Sequence, residues 1–376
     1  MERFDVPVVM IVYKRLDLTE RSFAPIRELK PAKLYIISDG PRDRKEAQQV
    51  KAVREYLEKN IDWPCEVHKN YAEKNMGLRY RMPSGMAWVF ETEESAIFIE
   101  DDIEASQSFF LFCREMLEHY KDEERIAMIS GTNLYPGEES FGKDDICFSA
   151  FATIWGWATW KRAWKNYDVN IRRWPELKKE MKLRRILNKN SYKFFSIVFD
   201  DLQYHWYRTW GYQWNFMVWA DNLLGIVPKY DLVNNIGMGD ERGEHPGDTA
   251  EKVSEVSEVE RGEMEFPIKY PKKIIRNKRY DRMFQQRFYT EKTGPLKELK
   301  YRLRAALYEK AYAVIKEMEK DDEYFDNVLP DKYKLDEEGL KLNPGDRYSL
   351  VSPKEMRRTA AAYRRYRRKH RKEAAV

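Results

Sequence analysis

Three carboxylates in a row, Glu100-Asp101-Asp102, follow the strand-forming run Ile97-Phe98-Ile99. An apolar run bounded by charge predicts a buried strand whose far end reaches solvent, because adjacent carboxylates are not buried without a partner. Like charges this close repel, so they require a cation or partial neutralisation. Donors that are all oxygen suit a hard divalent ion, Mg2+ or Mn2+. The plainer reading is a solvated strand end with a helix N-cap. Ser106-Gln107-Ser108-Phe109-Phe110 then opens a periodic helix, making a strand, acidic turn and helix. In α/β sheets ligands bind beyond the carboxyl ends of strands, which is where this turn falls.

Other elements must position that turn. Pro7 to Tyr13 is a near-continuous apolar run, suited to a strand covered on both faces, and Asp17 to Leu29 follows as a helix. Lys33 to Ser38 is a second strand ending at Asp39-Gly40-Pro41-Arg42, Arg44 to Asn60 a helix, and Cys65 to His68 a short third strand. Asn75-Met76-Gly77-Leu78-Arg79 reads as a loop and Ser84 to Glu91 as a helix. Strands alternating with helices predict an α/β fold with a mostly parallel sheet and right-handed crossovers. Downstream come a strand Ile126 to Ser130, an aromatic stretch Phe151 to Trp160, a mostly helical 161–220, and a strand at Ile226-Val227-Pro228. Gly239 to Glu265 reads as a mobile loop. Leucines and small apolar residues recurring at three and four from Leu296 to Met318 predict an amphipathic helix, expected to pack on the preceding domain.

The 376 residues suit one large domain or two moderate ones, and 43% apolar content is enough for a core. No run approaches the roughly 20 apolar residues of a membrane span, and the N-terminus is too short and acidic for a signal peptide. Three scattered cysteines argue for reduced thiols, hence a cytoplasmic setting, and against a zinc site. From Lys354 onward ten Lys/Arg face two Glu, a local +8 in a chain of net +5, so the body itself is slightly acidic. A cationic nucleic-acid surface is therefore not expected on the body. The tail suits an anionic membrane surface, with a solvated terminus or RNA binding as the competing readings.

Several stretches, in order, resemble nucleotide-sugar-dependent glycosyltransferases of the GT-A fold, and more closely a bacterial hemolytic-protein-like group of them. They are Pro7 to Arg15, Ile37 to Arg42, Asn75-Met76-Gly77, Glu100-Asp101-Asp102 with Ser106 to Phe110, Ser130 to Asn133, Trp155-Gly156-Trp157-Ala158-Thr159-Trp160, Trp210 to Trp214, and Asn235-Ile236-Gly237. The resemblance covers about residues 5–250 and implies a GT-A catalytic domain over 1–270. Within it, about 1–135 would bind the nucleotide sugar and 136–270 would supply the acceptor side and an active-site loop. A helical extension and linker over 271–350 and a basic tail over 351–376 would follow.

By that resemblance Tyr13, Arg15 and Asp39 would contact base and ribose, while Arg42, Asn75, Arg79 and Arg81 would hold ribose and diphosphate. Asp102 would ligate Mn2+ or Mg2+, Asp101 would reach ribose or a metal-bound water, and His245 would join the metal or phosphate shell. A cation opposite the departing diphosphate stabilises charge where it develops. Trp155 and Trp157 would serve the acceptor, a saccharide or lipid-linked molecule. Related chains often carry an Asp base within the Trp-x-Tyr-Gln-Trp stretch; Gly211 stands there, followed by Tyr212 and Gln213, which leaves Asp200 and Asp201 as substitutes for the base and Gln213 as a further candidate catalytic residue. Two other enzymes fit less well. A sugar-nucleotide pyrophosphorylase would want a glycine-rich loop where Tyr13 to Asp17 has no glycine, and a phosphohydrolase would want an Asp where Lys14 and Arg15 stand. A catalytically inactive nucleotide-sugar-binding module is the third alternative.

Overall fold

The computed structural model describes residues 3–135, 138–203, 209–242, 259, 261–289, 295–330, 334 and 353–373. The strands are β1 (Val8–Val12), β2 (Lys33–Ser38), β3 (Glu66–Tyr71), β4 (Ser95–Glu100), β5 (Ile103–Ala105), β6 (Ile126–Ser130), β7 (Ile146–Ser149), β8 (Trp157–Trp160), β9 (Leu224–Pro228) and β10 (Val233–Asn235). The α-helices are α1 (Leu16–Leu29), α2 (Arg44–Asn60), α3 (Leu78–Thr92), α4 (Gln107–His119), α5 (Glu138–Phe141), α6 (Lys161–Trp164), α7 (Trp174–Lys179), α8 (Lys189–Gln203), α9 (Gly211–Ala220), α10 (Lys278–Phe288), α11 (Pro295–Met318), α12 (Asp322–Asn327) and α13 (Pro353–Glu373).

The chain divides into two units. The first comprises Met1–Gly77, Gly85–Tyr167 and Val218–Phe288. Its eight-stranded sheet has the order β3-β2-β1-β4-β8-β6-β9-β7. The first four strands are parallel throughout, β6 and β9 are also parallel, and β8 and β7 run antiparallel to their neighbours. The expected α/β fold with a mostly parallel sheet is thus present. A separate antiparallel pair joins β10 to β5.

Central placement explains the composition of β1. All five of its residues are buried, because β2 and β4 flank it in the sheet while helices cover both faces. The helix α2 starts where Asp43 accepts a hydrogen bond from Glu46 N, and it buries Val50, Val53 and Leu57 at helical spacing. The helix α4 starts the same way, on Ser106, and buries Phe109, Phe110, Phe112, Cys113 and Met116. One apolar core joins Val53, Leu57 and the α4 side chains to β1, β2, β4 and β6.

Register does the positioning. Val12 lies opposite Ser38 of β2, and Ile11 lies opposite Glu100 of β4. The residues that follow, Tyr13, Asp39 and Asp101, therefore emerge together at one sheet edge.

The second unit comprises Leu78–Ser84, Asp168–Met217 and Tyr289–Val376. Its helices α11, α12 and α13 share a core that includes Ile315, Met318, Tyr324, Phe325, Met356, Ala360 and Tyr363. Tyr363 Oη donates to Asp321 Oδ2 at 2.9 Å, and Arg367 pairs with Glu317 at 2.8 Å. The basic tail is thus a helix with a packed apolar face.

Candidate active site

The carboxyl ends of β2, β1 and β4 carry the polar groups. Chain order runs outward from β1 through β2 to β3, then crosses to the opposite side of β1 to form β4. The sheet order reverses between β1 and β4, and such switch points open a crevice that binds ligands.

Arg15, two residues beyond Tyr13, spans that crevice. Its Nη2 donates to Asp101 Oδ1 at 2.5 Å and to Asp102 Oδ2 at 2.8 Å. The cation demanded by the acidic turn is supplied by the chain itself. Burial pushes the Asp101 carboxyl up, and Arg15 opposes that shift. Burial likewise raises Glu100, the last residue of β4, with Asp102 and Asp101 adding to the rise. The Arg15 guanidinium is held firmly protonated: burial alone would lower its pKa, and the two carboxylates more than reverse that. Ser22 Oγ donates to the Asp101 carbonyl and fixes the turn from α1.

Asp39 organises the neighbouring loop. Its Oδ1 accepts from Gly40 N and Met76 N, and its Oδ2 from Gly77 N and Asn75 Nδ2, all at 2.8–3.0 Å. Gly40 is required there: a Cβ would lie 2.4 Å from the Lys74 carbonyl carbon. Gly77 has φ +73, which glycine adopts without strain, and α3 begins directly after it.

Glu46 is the residue sequence reasoning missed. It accepts from Tyr13 Oη, Lys14 Nζ, Arg42 N and Arg42 Nη2 at 2.5–2.9 Å. The Arg42 hydrogen bonds, with Lys14 and Tyr13, hold its carboxyl well below the usual carboxylate range despite burial. Burial, then the bond to Glu46, raises the Tyr13 phenol. The Asp-x-x-Glu spacing of Asp43 and Glu46 signals a helix start, and that was the legible clue. Asn75 Nδ2 also donates to Tyr13 Oη, so the Asp39 and Glu46 networks are one.

The last piece is the strand β10. Ile236 N donates to the Asp102 carbonyl at 2.8 Å, and a Cβ on Gly237 would fall 2.4 Å from Asp102 Oδ2. Only a residue without a side chain lets the Asp102 carboxylate lie there. Beyond it, Arg242 pairs with both Asp17 and Asp240.

The other expected residues have the following surroundings. Arg79 and Arg81 stand in the first turns of α3, both buried, and not in the loop that the sequence predicts at 75–79. Arg79 Nη2 donates to Val169 O and Asn170 Oδ1 within the second unit. Asp201 and Gln213 also belong to that unit: Asp201 is buried in α8, and Gln213 Nε2 donates to Thr209 O at 2.6 Å. Asp200 pairs with Lys178 and accepts from Trp174 Nε1. Trp157 is a core side chain, 1% exposed and stacked on Phe98, whereas Trp155 is only half-buried. His245 and most of the expected loop at 239–265 lie outside the described residues.

Among the described residues no group of three or more His, Cys, Asp or Glu side chains is placed to hold a metal ion. The donor set is narrower than a protein cage: Asp102 keeps 20% of its side chain exposed, beside the Arg15-bound Asp101. That fits Mg2+ or Mn2+, which are commonly held by one or two carboxylates together with substrate phosphates.

No family model matches the chain, and no curated protein matches it. Among solved structures it is similar to a mannosyltransferase from Pyrobaculum calidifontis in complex with GDP-Man and Mn2+, at 12% identity and TM-score 0.30, over 42% of this chain and 45% of that one. It is similar to S. aureus TarS 1-349, at 10% identity and TM-score 0.30, over 54% of this chain and 56% of that one. It is also similar to the glycosyltransferase GlyE of Streptococcus pneumoniae TIGR4, at 11% identity and TM-score 0.25, over 53% and 44%. The chain spans about half the length of each structure it matches.

Proposed function

We propose that this chain is a glycosyltransferase that takes a sugar from a nucleotide-diphosphate donor and passes it to a saccharide or lipid-linked acceptor with the help of a divalent ion. The observation that carries the reading is the crevice between β1 and β4, where Arg15, Asp101 and Asp102 meet beside the loop that Asp39 holds. A switch-point crevice lined by a cation, paired carboxylates and a glycine-containing loop suits a ligand that is part heterocycle, part anionic diphosphate.

In this reading Tyr13 and Asn75 line the nucleoside side, with Glu46 fixing the Tyr13 phenol. Arg42, half exposed and paired with Glu46, would meet phosphate oxygens from that position. Asp102 would hold Mn2+ or Mg2+, which supplies charge stabilisation to the departing diphosphate. Asp101 keeps Arg15 at the crevice and reaches ribose. Trp155 offers an aromatic face to the acceptor sugar. The proton of the acceptor hydroxyl requires a base in an inverting reaction, for which the carboxylates Asp201 and Asp200 are the candidates from sequence, with Gln213 as a further candidate catalytic side chain that can only hydrogen-bond.

The test is a panel of nucleotide sugars incubated with the full chain, with and without Mn2+, with release of nucleoside diphosphate as the readout. Metal-dependent release from one donor supports the reading. Absence of release from every donor, with no donor bound, contradicts it.

A further inference from the structure

The second unit carries an exposed surface that is both apolar and basic. On α11, Leu296, Leu299, Leu303 and Leu307 are 83%, 54%, 59% and 57% exposed. Their spacing of three and four places them on one helical face. Four exposed leucines in a row are more than the scattered apolar residues of an ordinary surface. The sequence expectation that this helix buries its apolar face holds only for its second half, where Tyr308, Ala311, Val314, Ile315 and Met318 are buried.

The helix α13 packs alongside that second half. Arg357 lies over the Tyr308 ring and Arg367 pairs with Glu317, so the two helices run parallel. Met356, Ala360 and Tyr363 are consumed by this packing. What α13 presents outward is charge: Arg357, Arg358, Arg364, Arg365, Arg368 and Lys369 are exposed. From Pro295 to Leu307, α11 itself has four Lys/Arg against one Glu.

We propose that this unit docks on an anionic lipid bilayer, with the α13 arginines on the headgroups and the α11 leucines at the acyl boundary. Each half of the surface excludes a different rival. A second copy of the chain would bring two strongly cationic helices together. RNA would use the arginines and leave the leucines in water. An anionic bilayer takes both at once. No helix among the described residues is long and apolar enough to cross a membrane, so the attachment is peripheral. The inference rests on the second unit alone and stands or falls separately from the glycosyl-transfer reading.

The experiment is co-sedimentation of the full chain with vesicles of phosphatidylcholine alone, or of equal parts phosphatidylcholine and phosphatidylglycerol. Wild type is expected to sediment only with the anionic vesicles, less so at high salt. The triple variant R364Q/R365Q/R368Q should partition about a hundredfold more weakly, by the usual contribution of a basic residue near such a surface. The double variant L299S/L303S should lose about tenfold, including the part that survives high salt. Every substituted side chain is exposed, so circular dichroism and melting should match wild type. Equal sedimentation with neutral vesicles, a triple variant that partitions like wild type, RNA that displaces the anionic vesicles, or leucine substitutions that halve the solution mass without changing sedimentation would each overturn the proposal.

Discussion

Replacing Arg15 with glutamine tests the electrostatics of the crevice. The side chains of Arg15, Asp101 and Asp102 are 13%, 7% and 20% exposed, so the guanidinium is removed from a largely buried group of charges. Removing one partner of a buried pair costs about 3–5 kcal/mol, and the partial exposure of Asp102 places this case near the lower figure. That corresponds to a fall of roughly 5–10 °C in the melting temperature. The pH dependence has a definite sign. With Arg15 gone, burial and the neighbouring Asp102 charge, opposed only by the Tyr13 N–H, hold the Asp101 pKa further above the unfolded value of about 3.9. A group raised in the folded state contributes its stability below the unfolded pKa and loses it as pH rises through the folded pKa. The deficit of Arg15→Gln is therefore largest at neutral pH and shrinks on acidification. Mn2+ should restore stability to the variant more than to wild type, the variant gaining about 2.7 kcal/mol at a hundredfold excess over its own dissociation constant. Arg15→Lys keeps the charge without the forked reach and should fall between the two. Differential scanning calorimetry across pH, with and without Mn2+, reads all three effects. An Arg15→Gln protein that melts like wild type at neutral pH, or whose deficit grows toward acid, refutes the account.

Gly40→Ala should cost about 1–3 kcal/mol and weaken nucleotide binding, because its Cβ meets the Lys74 backbone at 2.4–2.6 Å and backbone cannot move as a side chain does; thermal melting and fluorescence titration with a nucleoside diphosphate check both. Gly237→Ala should lower the melting temperature by a few degrees and weaken Mn2+ binding, because its Cβ would meet Asp102 Oδ2 at 2.4 Å and Asp102 Cβ at 2.6 Å and displace the carboxylate; thermal melting and paramagnetic resonance of free Mn2+ measure the two effects. Asp231 is buried, accepts from Asn133 N and is pushed up to about 7 by burial, so it costs stability as pH rises from about 4 to 7. Asp231→Asn keeps the acceptor and should therefore stabilise the protein by up to a few kcal/mol at about pH 8 and by little at about pH 4, as read from denaturant midpoints.

The parallel half of the sheet was legible because its signals are local. The strand Lys33–Ser38 and the helix Arg44–Asn60 have the bounds that their apolar runs and caps predict. The acidic turn was legible as chemistry, since three carboxylates demand a cation whatever the fold. Which cation answers was not, because Arg15 is 86 residues away from Asp101 and only the β1–β4 register brings them together. The same holds for Glu46, whose partners Tyr13 and Lys14 come from another strand end. The helix start at Leu78 is hidden because Gly77 reads as loop, whereas it ends the loop and releases α3, with Arg79 in its first turn, at the next residue. Trp157 illustrates a further limit: an aromatic run looks alike in a core and at a site, and only its pairing in β8 against Phe98 of β4 sends this ring inward. The tail reads as a bare charge run, yet Met356, Ala360 and Tyr363 recur at helical spacing among the arginines and anchor it to α11.

The central claim is that the β1–β4 crevice binds a nucleoside diphosphate with a divalent ion on Asp102. Isothermal titration of uridine and guanosine diphosphates into the full chain, with Mn2+ or with a chelator, and into Asp102→Asn tests it most directly. The account predicts binding of one of these nucleotides that weakens at least about tenfold when Mn2+ is removed, as loss of one hard-cation ligand set implies. The same weakening should appear in Asp102→Asn with Mn2+ present, while its melting temperature does not fall. Nucleotide binding that is indifferent both to Mn2+ and to Asp102→Asn would contradict it.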